Sequence, residues 1–209
     1  MTSASNQQTR PSVRVWDRLV RIFHWSLASF FAIAWLSAED IQSIHELAGY
    51  TIGGLILFRL VWGVIGSRHA RFRDFVTRPT TLLHYLRALP GADNRRYLGH
   101  NPAGAAMVIG LLLSLTATVL CGVIMIGAEG EGPLAYSTIT LWAPEFIEEA
   151  HEVFANLSIT LVGLHLLGVL FSSLHHRENL VRAMVTGMKE RRPDDIDHSS
   201  SSIKGEMQP

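Results

Sequence analysis

Cysteine is all but missing from the 209 residues, and Cys121 alone excludes an internal disulfide framework, a four-thiolate zinc site and a thiolate-held iron–sulfur cluster within one chain. Charge is scarce too, at 17%, and neither sign is in excess, since 18 Lys and Arg face 18 Asp and Glu. Without a net positive field nothing holds a phosphate backbone, so no nucleic acid is expected as a partner. The sequence also lacks a nucleotide-binding glycine loop, a Ser-His-Asp set and a thiolate pair, the usual marks of other chemistries. What it holds instead is apolar bulk, 48% of residues, and ten histidines as its main stock of metal ligands.

The apolar residues gather into four blocks: Ile22 to Ala38, Ile44 to Gly66, Ala103 to Ala128, and Phe154 to Leu174, the last begun a turn earlier near Ala150. Each comes close to the roughly 20 residues that a membrane-crossing helix needs. The reading is an all-α integral membrane protein, a four-transmembrane-helix bundle over residues 14–188 with disordered polar tails at 1–13 and 189–209. A cleaved signal peptide competes for the first block, but Leu36 stands where a small residue should precede a cut after Ala38. Of the 18 basic residues, 17 lie before helix one, between helices two and three, or after helix four. The loops after helices one and three hold none, only Glu39, Asp40, Glu129, Glu131, Glu145, Glu148 and Glu149. The positive-inside rule then puts both termini in the cytoplasm. In the long link between helices two and three, Leu82, Leu86 and Leu89 have helical spacing, so Thr81 to Leu89 is either a short interfacial helix or a solvated loop. Asn101-Pro102 reads as a helix start.

Imidazoles inside a span are costly and face the bundle interior, which makes them functional candidates. Four stand there: His24 in helix one, His45 in helix two, His151 and His165 in helix four. His151 and His165 are fourteen residues apart, close to four turns and about 21 Å, so their rings share one face. By depth, His24 pairs with His165 toward the cytoplasm and His45 with His151 toward the outside. Two imidazoles at one depth on separate helices suit a six-coordinate haem. A zinc or iron carboxylate site is the alternative, with Glu46 and Glu152 the only neighbouring carboxylates. Gly49 and Gly53 are candidates for a flat wall beside a porphyrin, and equally for helix packing at GxxxG spacing. Arg59, fourteen residues below His45, falls near the inner pair and either meets a haem propionate or snorkels to the headgroups. His69, His84, His100 and His198 read as surface residues, His175 and His176 as a helix C-terminal pair, and Trp16, Trp25, Trp62, Trp142 and Tyr136 as an interface belt. Cys121 reads as a small packing residue.

Arg21-Ile22-Phe23-His24-Trp25, Ile44-His45-Glu46, the stretch His151 to His165 and its continuation to His175-His176 together resemble the prokaryotic cytochrome b561 family, over about residues 14 to 188. Arg96 to Gly104 is also similar to the cytochrome b subunits of nickel–iron hydrogenases. The resemblance implies two b haems held by His24, His45, His151 and His165, in the bacterial cytoplasmic (inner) membrane. It further implies electron transport in a respiratory chain between membrane quinone or quinol and a partner such as a periplasmic cytochrome c. Whether this amounts to a quinol oxidoreductase enzyme stays open. Membrane lipid surrounds the chain, and a homodimer is left open. A haem-bearing anchor subunit of a dehydrogenase or hydrogenase complex is the alternative, and a divalent-metal transporter using His and Glu is a third reading.

Overall fold

The computed structural model describes residues 11–88, 96–138, 144–193 and 195–197, with 144 and 145 as backbone only. The tails 1–10 and 198–209, with His198, and also Leu89 and Trp142, lie outside the described residues. The elements in order are β1 (Ser12–Arg14), α1 (Arg18–Ser37), α2 (Gln42–Ile65), α3 (Phe72–Phe75), α4 (Pro79–Ala88), α5 (Pro102–Ala128), α6 (Pro144–His175), α7 (Leu180–Thr186) and β2 (Met188–Glu190). Four of these, α1, α2, α5 and α6, are long and apolar enough to cross a membrane.

Local chemistry explains where the helices begin. The Asp17 carboxylate accepts the Val20 N–H at 2.8 Å and caps α1. Asn101 does the same for α5 through the Gly104 N–H at 2.7 Å, with Pro102 at the first helical position. α6 opens at Pro144, well before the apolar block begins. Glu148, Glu149 and Glu152 are good helix formers and favour the positive end of the helix dipole, so this acidic lead-in stays helical. The stretch in the long link takes the helical alternative, as α4, with Leu83 and Leu86 exposed.

α1 packs along α2 and α5 along α6, while α2 joins the two hairpins through α5. Ile52, Ile56 and Leu115 are the buried centre of that joint, flanked by Leu27, Phe30, Phe31, Ala34 and Val119. Between α5 and α6 the Ser114 and Ser158 hydroxyls lie 2.8 Å apart, and Ser114 also donates to the Phe154 carbonyl at 3.2 Å. Such polar contacts join helices where apolar side chains gain nothing by leaving lipid. Large apolar residues such as Leu57, Leu113, Leu120, Leu166 and Leu170 stay exposed along the spans, as a hydrocarbon solvent permits.

The Arg-rich segments lie at the end of the bundle from which α1 and α5 start and at which α2 and α6 finish. There β1 pairs antiparallel with β2, Val13 opposite Lys189, and Tyr97 bridges to Ile196. The composition-based boundary at residue 189 therefore falls too early. Lys189 and Asp195 are drawn into a buried ion-pair cluster with Glu178 and Arg96 that a polar tail would not form. Gly187 makes the turn into β2 with φ of 80°, and a Cβ there would sit 2.5 Å from the Trp16 carbonyl oxygen.

Candidate functional site

The histidines of the spans meet in the two pairs that depth matching predicts. The ring centroids of His24 on α1 and His165 on α6 are 6.3 Å apart, and those of His45 on α2 and His151 on α6 are 6.0 Å apart. Neither pair is joined by a direct hydrogen bond among the described residues. A metal at about 2 Å from a nitrogen of each ring, plus roughly 1 Å from each nitrogen to its ring centre, gives about 6 Å between centroids. Both separations fit one ion held by two imidazoles.

The second nitrogen of each ring in the acidic-end pair is already committed. His45 Nδ1 lies 2.8 Å from the Ala34 carbonyl oxygen and His151 Nδ1 lies 2.9 Å from that of Thr118. A carbonyl only accepts, so each Nδ1 carries the proton and each Nε2 keeps its lone pair for a metal. In the Arg-rich-end pair, His24 Nδ1 is buried without a partner, and Trp25 packs edge-on against His24 at 5.2 Å between centroids. Trp25 is thus a neighbour of the site.

α6 packs along α5 and scarcely meets α1 or α2 through its backbone, so the histidines reach across a gap rather than a tight helix contact. Gly49, Gly54, Gly163 and Gly168 have nothing within 4 Å of where a Cβ would stand. Gly53 differs, because a Cβ there would lie 3.2 Å from a Val119 methyl group, placing it in the α2–α5 contact. Among the described residues no group of three or more His, Cys, Asp or Glu is placed to hold a metal ion. That disfavours a compact zinc or iron carboxylate site and leaves two bis-imidazole positions suited to haem.

Gly122 is a site residue that the sequence did not disclose. A Cβ at Gly122 would stand 3.2 Å from His151 Cε1, so this glycine clears the space in which the ring sits. Within the apolar run of α5 nothing marks it apart from other small residues, and the carbonyls of Ala34 and Thr118 leave no trace in side-chain chemistry at all.

Arg59 does not reach the headgroups. It is 4% exposed, with its guanidinium carbon 4.7 Å from the Phe72 ring centre and 5.9 Å from that of Phe75, and its Nη1 has no partner. His100, read from sequence as a surface residue, is wedged between Trp16 and Phe75, each at 4.7 Å between centroids, with Nδ1 buried and unpartnered. Burial, reinforced by the charges of Arg59, Lys189 and His69, pushes its pKa down to about 3, so the ring is neutral. His69 is also drawn in, with Nε2 buried and unpartnered, whereas His84 is exposed. Trp16 and Trp62 leave the expected belt for the interior: Trp16 is buried with Val15, Val20 and Ala70, and Trp62 donates to Asp17 at 3.2 Å. His175 stacks on Phe171 and stands against His176 at the end of α6. Tyr136 is 94% exposed, and Cys121 is buried as a free thiol.

Comparison with known proteins gives the family. The profile described as prokaryotic cytochrome b561 matches residues 15–187. A probable Ni/Fe-hydrogenase B-type cytochrome subunit of Bradyrhizobium diazoefficiens is 22% identical over 218 residues, covering 88% of each chain. No solved structure matches. With its four membrane helices and cross-bundle histidines inside the matched region, the chain belongs to the prokaryotic cytochrome b561 family of multi-pass membrane b-type cytochromes.

Proposed function

We propose that His24 with His165, and His45 with His151, would each hold one b-type haem, and that the chain carries electrons between quinone or quinol in a bacterial inner membrane and a redox protein. The observation that carries this reading is the pair of cross-bundle imidazole separations, 6.3 and 6.0 Å, on helices that otherwise scarcely touch. Iron held by two imidazoles would supply one-electron exchange. The protein's part is positional. Ala34 and Thr118 fix the tautomers of His45 and His151, Gly122 clears room for the His151 ring, and α6 sets the two sites four turns apart. The Arg-rich end, where β1 and β2 pair, faces the cytoplasm by the positive-inside rule.

A reduced-minus-oxidised spectrum with a haem-to-protein ratio tests this directly. Two low-spin haems per chain are expected, and a colourless protein would overturn the reading in favour of a metal transporter. The printed name of the Bradyrhizobium relative favours a second reading, in which this chain is the haem-bearing membrane subunit of a larger enzyme. Co-purification with a large cofactor-bearing subunit distinguishes it from an independent carrier.

Two further results are expected. Gly122→Val should disturb the acidic-end haem while leaving every ligand in place, because its Cβ already crowds His151 and the added methyls crowd it further. Absorbance of that haem relative to the other checks this, and an unaltered spectrum would remove Gly122 from the site. The loops at the acidic end carry Glu39, Asp40, Glu129 and Glu131 without Lys or Arg, so a basic periplasmic partner such as a cytochrome c is steered there. Its association rate should fall as ionic strength rises. A rate indifferent to salt would count against docking at this face.

A further inference from the structure

The Arg-rich end holds an unpaired cation in a place that should not tolerate one. Arg59 is almost fully buried, Nη1 has no partner, and Phe72 and Phe75 cover the guanidinium without offering an acceptor. An isolated buried charge costs several kcal/mol, so an anion is needed. Asp17 is the carboxylate whose field acts on Arg59, but its oxygens already accept from the Val20 N–H, the Trp62 indole and the Ser67 hydroxyl. No other Asp or Glu among the described residues forms an ion pair with Arg59.

His100 is joined to Arg59 through Phe75. Phe75 touches both residues, lying 5.9 Å from the Arg59 guanidinium carbon and 4.7 Å from the His100 ring. His100 Nδ1 is a second buried polar atom without a partner. Arg59 stands fourteen residues beyond His45 on α2, as His165 stands fourteen beyond His151 on α6, and His45 and His151 are paired, so Arg59 lies at the level of the Arg-rich-end pair. A cationic fork and a neutral N–H donor, both unsatisfied and both next to one haem position, are suited to one carboxylate.

We infer that Arg59 and His100 together clamp a single propionate carboxylate of the haem held by His24 and His165, Arg59 as the charge partner and His100 as the neutral hydrogen-bond donor. This rests on the haem assignment above. It extends that assignment to His100, which the sequence places in a surface link.

The test compares His100→Gln, which keeps a side-chain donor, with His100→Met, which is of similar size and has none, on the purified holoprotein. The wild-type spectrum first establishes two low-spin haems, and failure there would sink the haem assignment rather than the clamp. Resonance Raman spectra then report the propionate bending vibrations, and transfer to an excess of a haem-scavenging apoprotein reports retention. With a hydrogen bond to a charged group lost, His100→Met should shift the propionate band and release the Arg-rich-end haem roughly tenfold faster, the acidic-end haem being unaffected. His100→Gln should stay near wild type. Arg59→Leu should shift the same band further and lower the potential of the same haem, since a nearby positive charge that favours added electrons is gone. If the Gln and Met variants behave alike, whether both normal or both impaired, His100 does not donate to the propionate and the clamp is overturned.

Discussion

Replacing His151 by alanine is expected to remove the acidic-end haem, or leave it five-coordinate, while the other haem stays low-spin. His165→Ala should do the reverse. The expectation follows from geometry: each pair takes one imidazole from α6 and one from the α1–α2 hairpin, and the two α6 ligands are fourteen residues apart, about 21 Å. At that distance the two losses should be independent. The haem-to-protein ratio should fall from two toward one wherever the damaged site empties. Added imidazole should restore a low-spin spectrum wherever the iron has stayed in place. Two intact low-spin haems in either variant would show that the pairing is wrong.

Arg96→Leu is expected to release the strap formed by β2 and the residues after it, which β1 and Tyr97 hold in place. Arg96 is 4% exposed and donates to Glu178 at 2.5 and 3.0 Å, to Asp195 at 2.5 Å and to the Glu190 carbonyl at 3.1 Å. Lys189 adds a second cation at 3.2 Å from Glu178, so two positive charges balance two negative ones out of water. Removing Arg96 alone leaves one carboxylate in excess, and breaking a buried pair in this way costs about 3–5 kcal/mol. Hydrogen exchange of Met188–Glu190 should accelerate roughly a hundredfold or more, and unchanged exchange would remove the cluster as the source of the strap's stability. The cluster is also acid-sensitive. Burial on its own would raise the Glu178 carboxyl, but Lys189 and Arg96 outweigh it and hold the pKa below the usual value. A carboxyl with a depressed folded-state pKa contributes stability above its unfolded value, and that contribution is lost as pH falls through the folded one. The strap of the unaltered protein should therefore loosen in acid, and Arg96→Leu should flatten that dependence.

The four spans and their histidine pairs were legible because hydrocarbon forces apolar length, and because two residues fourteen apart on one helix must share a face. His24, His45, His151 and His165 stand where that reasoning put them relative to one another. What escaped it depends on contacts between distant segments. Lys189 looks like the start of a polar tail until Glu178 and Tyr97 are brought beside it. His100 looks like a link residue until Trp16 and Phe75 close around it. Arg59 could as well have reached lipid headgroups, and only the position of Phe72 and Phe75 decides that it turns inward. α6 outran its apolar block because acidic residues continue a helix beyond the hydrocarbon, which hydropathy cannot register.

The pairing of β1 with β2 joins almost the first described residues to almost the last. During synthesis the partner of Ser12–Arg14 does not yet exist, and Met184, which completes the packing around Trp16, emerges only a few residues before it. Ser12–Arg14 must therefore wait unpaired until Met188–Glu190 has been made. A nascent chain cut short before residue 188 would keep all four spans and all four pair-forming histidines. It would still present the open edge of Ser12–Arg14 to the machinery that sorts defective membrane proteins.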